Sequence, residues 1–150
     1  MPWIEEGAHK QAVILQVLGS LPDWFGIPEA IDEYVLGGQA MPCYVHEVDG
    51  EAVGFVSLKQ TSECAAEIHV MGILPAYHRQ GIGRQMIEAC EAEARCRGLS
   101  LLHVKTVDPQ AQYDSYLRTH AFYRAMGFLP LEVLPLWDEH NPCLLLVKPL

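Results

Sequence analysis

Positive charge is scarce in this chain. Ten Lys and Arg stand against nineteen Asp and Glu, for a net charge of −9. A nucleic-acid binder needs a basic stripe to meet phosphates, so the balance argues against that class. Long apolar runs are missing too, and none approaches the roughly 20 residues of a membrane-spanning helix. The start, Met1-Pro2-Trp3-Ile4-Glu5-Glu6, is acidic and lacks the basic opening of a secretory signal, so the cytoplasm is the expected compartment. The five cysteines, Cys43, Cys64, Cys90, Cys96 and Cys143, contain no Cys-x-x-Cys and no Cys/His spacing suited to zinc. No metal is expected, and the cysteines read as mostly small buried residues in a reducing compartment. Repeats, low-complexity tracts and linkers are absent, which leaves one domain over residues 1–150.

What is present is an ordinary globular balance, with half of the chain apolar and 19% charged. A chain of 150 residues can bury a sizeable core. Residues 5–18 read as a helix with Ala8, Ala12, Leu15 and Leu18 along one stripe. Leu21 to Gly26 is a loop carrying Trp24 and Phe25. Pro28 suits the first turn of a second helix, and Gly37-Gly38 stops it. Residues 42–48 and 52–59 are strands joined by Asp49-Gly50, a two-residue hairpin signal. Residues 65–74 form a third strand. A helix from Ile82 to about Arg97 places Ile82, Met86, Cys90 and Ala94 on one face, and Gly98 ends it. Leu101 to Val107 is a strand expected to lie parallel to the previous one, since a helix joins them. Residues 108–115 read as a polar loop, residues 116–126 as a helix stopped by Gly127, and residues 128–134 and 143–148 as a closing antiparallel pair. The fold class is mixed α/β with one twisted sheet.

The stretch between the third strand and the long helix holds the most chemistry. It reads His78-Arg79-Gln80-Gly81-Ile82-Gly83-Arg84. The first N–H groups of a helix have no intrahelical partner, and the macrodipole makes that end positive. Glycines there let an anion approach the backbone. A phosphate-bearing cofactor held at residues 79–84 is the expectation. Upstream, strand alternation puts Glu67, His69 and Met71 on one face. Downstream, the late helix carries Phe122-Tyr123, followed by Met126-Gly127-Phe128.

This order of parts resembles the GNAT superfamily of N-acetyltransferases, over about residues 42–148. The family's Gln/Arg-x-x-Gly-x-Gly/Ala motif corresponds to residues 78–83, and its late Phe-Tyr…Gly-Phe pattern to residues 122–128. The resemblance implies two central parallel strands that splay apart to admit a thioester, and acetyl-CoA as the donor. It implies that backbone N–H groups of Arg79, Gln80, Gly81, Ile82, Gly83 and Arg84 take the pyrophosphate. The pantetheine arm would run beside Met71, Gly72 and Ile73, with a backbone N–H near Met71 polarising the carbonyl. Glu67 matches a position that serves some members as general base, and Tyr123 matches the usual proton donor to the leaving sulfur. The implied activity is direct acetyl transfer to a primary amine of a small molecule. The alternatives are a protein acetyltransferase for a Lys side chain or an N-terminus, and an acyl-CoA sensor without catalysis. Two positions depart from the family pattern: His78 replaces Gln or Arg, and Tyr116 stands where Asn is frequent, after a longer loop.

Around this frame, Trp24 and Phe25 are candidates to line the acceptor pocket, with Tyr113 and Tyr116; Trp24 and Phe25 equally suit pinning the first helix to the sheet. His69 is a second candidate base or acceptor contact, or a structural histidine. His103, Lys105 and Thr106 fall on the neighbouring strand, and nothing in the sequence selects any of them. The acidic surface is compatible with a cationic acceptor. The apolar strand from Cys143 to Val147 suits pairing with its own sheet or, in a homodimer, with a second copy.

Overall fold

The computed structural model describes residues 3–4, 8–25, 28–37 and 41–150. Its backbone divides into two compact units, Met1–Lys59 with Ile68–Cys90, and Gln60–Glu67 with Glu91–Leu150. The fold is mixed α/β, with seven strands in one sheet and four α-helices among the described residues.

The first unit holds β1 (Trp3–Ile4), α1 (Ala8–Gly19), α2 (Pro28–Gly37), β2 (Cys43–Val48) and nearly all of β3 (Glu51–Gln60). It also holds most of β4 (Ala65–Ile73) and the first turns of α3 (Ile82–Cys96). Its strands run in the order β1-β2-β3-β4. The hairpin between β2 and β3 forms where Asp49-Gly50 stands. Both residues take positive φ, 52° and 80°, the mirror-image turn whose twist matches its flanking strands. The short β1 pairs antiparallel with β2, Trp3 opposite Tyr44, an element with no signal in the sequence.

The core of this unit is Val13, Ile14, Val17 and Leu18 from α1, closed by Ile31, Val45, Phe55 and Val70. The expected stripe on α1 therefore holds at Leu18 and fails at Ala12 and Leu15. Leu15 is 53% exposed and Ala12 is exposed, whereas Val13, Ile14, Val17 and Leu18 are buried. Both sets satisfy helical spacing. The buried one carries four branched side chains and continues into Leu21, so it removes far more apolar area from water. Residues 5–7, the expected start of this helix, lie outside the described residues. Lys10 lies on the buried side, almost wholly enclosed, and its Nζ donates to the Met41 carbonyl at 3.0 Å. The α2 helix keeps its expected limits at Pro28 and Gly37.

Along α3, Ile82, Met86, Cys90 and Ala94 are buried, as the period requires. Arg95 and Arg97 reach Glu91 and Glu93 at 3.8 and 2.9 Å. Gly98 ends the helix with φ 74°.

The second unit holds β5 (Leu101–Val107), α4 (Asp114–Ala125), β6 (Leu129–Leu134) and β7 (Cys143–Pro149). The start of β4 lies beside β5, and β7 and β6 follow. β7 is antiparallel to both β5 and β6, so both of its edges are occupied. It is not an edge open to a second copy; that position falls to β6. Residues 108–115 are more ordered than a polar loop. Asp108 Oδ1 accepts from the Gln110 N–H at 2.8 Å and caps a 3₁₀ turn, Pro109–Ala111. The helix after it begins at Asp114 rather than near Tyr116. Gly127, at φ 93°, turns the chain from α4 into β6. Cys43, Cys90 and Cys143 are buried, Cys64 and Cys96 are exposed, and all five are free thiols.

Candidate active site

The glycine turn is built as the sequence suggests. Leu74 leads into a 3₁₀ turn, Pro75–Tyr77, and α3 begins at Ile82. Between them the backbone crosses into positive φ at Arg79 (62°) and at Gly81 (80°). A Cβ placed on Gly81 would meet nothing within 4 Å, so the space over the turn is open. The first backbone bond into α3 runs from the Gln85 N–H to the Gly81 carbonyl, 3.2 Å. The N–H groups of Ile82, Gly83 and Arg84 precede it and have no intrahelical carbonyl to reach. Arg79, Gln80, Gly81 and Arg84 are exposed, while Ile82 is buried and anchors the helix start. Open backbone, free N–H groups and two arginines fit a pyrophosphate.

His78 has a definite job in this turn. Its Nε2 donates to the Ile73 carbonyl at 2.7 Å, tying the turn to the end of β4. The Trp24 ring meets the His78 ring edge-on, with centroids 6.0 Å apart. Phe25 touches Tyr34 at 5.8 Å, and Tyr34 touches His69 at 5.6 Å. Trp24 and Phe25 also pack on the core of the first unit, which is the pinning role foreseen for them. On β4, Ala66, Ile68, Val70 and Gly72 are buried on one face, while His69, Met71 and Ile73 are half-buried on the other. Gly72 backs onto Val17, Leu21 and Leu18.

In the second unit, Glu67 is 7% exposed, and its carboxylate is already partnered. Lys105 Nζ lies 2.5 Å from Glu67 Oε2. His103, two residues earlier on β5, faces the same side and shares a 2.8 Å hydrogen bond between its Nε2 and Thr61 Oγ1. Burial lowers the pKa of His103; Glu67 opposes that shift and Lys105 adds to it. Burial likewise raises that of Cys143, with Lys105 and Glu67 as its charged neighbours. Thr106 points to the opposite, buried face of β5.

Tyr123 is 5% exposed on α4. Its ring lies against Phe122 at 5.3 Å and Phe128 at 5.4 Å, and the Phe128 N–H donates to the Tyr123 carbonyl. The late Phe-Tyr…Gly-Phe pattern is thus a helix end folded back on its own tyrosine. Tyr113 and Tyr116 meet at 6.5 Å at the start of that helix. Lys105 is the residue that sequence reasoning passed over. Its one signal was its place on the strand after α3, at the same alternation as His103. Among the described residues no group of three or more His, Cys, Asp or Glu side chains is arranged to hold a metal ion. None of their helices is long and apolar enough to cross a membrane.

Known proteins place this arrangement. The model of the acetyltransferase (GNAT) family matches residues 18–128. Comparison with curated proteins returns no match. Among solved structures, the ribosomal-protein-S18-alanine N-acetyltransferase of Escherichia coli is similar with a TM-score of 0.76 at 16% identity, over 99% of this chain and 92% of that one. The IAA acetyltransferase of Bacillus cereus gives 0.75 at 20% identity, over 99% and 97%. A GNAT family acetyltransferase from Elizabethkingia anophelis, with acetyl-CoA bound, gives 0.67 at 19% identity, over 88% and 89%. At these identities the structures establish a shared fold, and the family model, which spans well over half of the chain, establishes membership: this protein belongs to the GNAT family of acetyltransferases.

Proposed function

We propose that the chain works as one acetyltransferase domain, which moves an acetyl group from acetyl-CoA to the primary amine of a small molecule by direct attack. The observation that carries this is the turn at Gly81, with positive φ, open space above it and the free N–H groups of α3 beyond. The backbone of residues 79–84 takes the pyrophosphate. The half-buried face of β4 at Met71 and Ile73, with the backbone of the buried Gly72 between them, takes the pantetheine arm.

An alkylammonium has no lone pair and must lose a proton before nitrogen attacks the thioester carbon. Glu67 accepts that proton. A positioned base of this kind contributes about 10²–10⁴ in rate. As the C–N bond forms and the C–S bond breaks, the Tyr123 hydroxyl gives its proton to the departing sulfur. Trp24, Phe25 and His69 shape the acceptor side. Acetyl-CoA bound in the Elizabethkingia relative supports the donor. A second reading has a protein α-amine as acceptor, supported by the fold shared along the chain with the E. coli enzyme.

An acceptor screen following CoA release, with small amines and short peptides side by side, tests the reaction and separates the two acceptors. With a good acceptor, Glu67→Gln and Tyr123→Phe are each expected to lower kcat by about 10²-fold or more. Unchanged turnover in both variants would overturn the mechanism.

A further inference from the structure

We propose that Lys105 is a positioning residue for Glu67, holding its carboxylate in one orientation and in the ionised form that can accept a proton. This rests on Glu67 being the base. The two side chains come from sequence positions 38 residues apart and meet at 2.5 Å. The Glu67 side chain is only 9% exposed, and that of Lys105 29%. An exposed pair would be screened and worth little. Here the carboxylate has lost most of its water, and loss of water favours the neutral acid, whereas a cation within about 4–6 Å favours the carboxylate. An acid that already holds its proton cannot take one from an amine. Lys105 therefore supplies what burial would remove.

Other titratable groups lie near the pair on the neighbouring strands. His103, on β5 with Lys105, is driven toward its neutral form by burial. Cys143, on β7, is kept as a thiol by burial, so it brings no charge. His69 follows two residues along β4, where its ring is engaged by Tyr34. Lys105 Nζ is the cationic group that meets the Glu67 carboxylate directly.

The test uses the full chain labelled with carboxyl-¹³C glutamate. The Glu67 resonance is assigned by its loss in Glu67→Gln and followed against pH in the parent protein, Lys105→Met and Lys105→Arg. The Met variant keeps the stem and loses the charge, and the Arg variant keeps the charge. The carboxyl midpoint is expected to rise by about one pH unit or more in Lys105→Met and to stay near its original value in Lys105→Arg. The acidic limb of kcat/KM for the acceptor should move with it, while KM for acetyl-CoA stays put. A midpoint that is the same in all three proteins overturns the proposal. Turnover unchanged in Glu67→Gln overturns the base reading instead, without affecting the titration, so the two failures are told apart.

Discussion

His78 Nε2 donates to the carbonyl oxygen of Ile73 across 2.7 Å, and that bond joins the glycine turn to the strand it leaves. The family motif has Gln or Arg at this position. A histidine here performs a tethering task that an amide N–H can also perform.

Removing the tether should therefore weaken cofactor binding and leave the chemistry alone. His78→Leu is expected to raise KM for acetyl-CoA by roughly fivefold, the worth of one ordinary hydrogen bond of about 1 kcal/mol, with kcat unchanged. His78→Gln should restore KM. Steady-state kinetics of the three proteins decide it. An equal loss in both variants would show that ring packing against Trp24, not the bond, matters.

Two glycines should respond differently to the same substitution. A Cβ at Gly72 would sit 2.9 Å from Val17 Cγ1 and 3.1 Å from Leu21 Cδ1, inside a packed core. Gly72→Ala is expected to cost about 1–3 kcal/mol by overpacking. Gly81→Ala meets no atom and pays mainly for its positive φ, about 1–2 kcal/mol, while weakening acetyl-CoA binding. Urea unfolding of both variants, with a binding titration of the second, checks the contrast.

Much of this architecture was legible in the sequence, for physical reasons. Asp49-Gly50 can hardly do anything but turn. Ile82, Met86, Cys90 and Ala94 keep strict helical spacing, and their face is buried. The stripe on α1 was misread because two phases satisfy the same period, and only packing against Phe55 and Val70 chooses between them. The pairing of Trp3 with Tyr44 is two residues long and carries no pattern. Lys105 was invisible as a partner of Glu67, because a contact across 38 residues depends on how the strands are ordered, which no local window contains.

Cys43 should make stability fall at high pH. Burial pushes its thiol up from 9.0 to about 11, with the Ser57 hydroxyl and Lys10 pulling the other way. The folded form thus holds the proton more tightly than the unfolded chain. The resulting stability is full below pH 9 and is lost as pH rises through 11. At about 1.4 kcal/mol per pH unit, the loss is on the order of 2–3 kcal/mol. Denaturant midpoints of the parent and Cys43→Ala between pH 8 and 11 should show a shallower slope in the variant. Parallel slopes would contradict this.

His103 should act at the other end of the scale. Burial lowers its pKa below 6.5, so the folded chain resists protonation. Its contribution is present above the unfolded value and declines as pH falls through the folded one. His103→Gln, which keeps a donor toward Thr61, is expected to flatten the loss of stability below pH 6.5. An identical acid profile in the variant would contradict a half-buried His103 whose pKa burial lowers.

The central claim is that residues 79–84 bind the pyrophosphate of acetyl-CoA. Calorimetric titration of the purified protein tests it most directly, with desulfo-CoA and adenosine as controls and Gly81→Glu as the blocked variant. Micromolar binding of acetyl-CoA and desulfo-CoA is expected, with none to adenosine and none to Gly81→Glu. No measurable binding of acetyl-CoA to the parent protein, or equal binding to Gly81→Glu, would contradict it and leave the glycine turn as nothing more than the start of a helix.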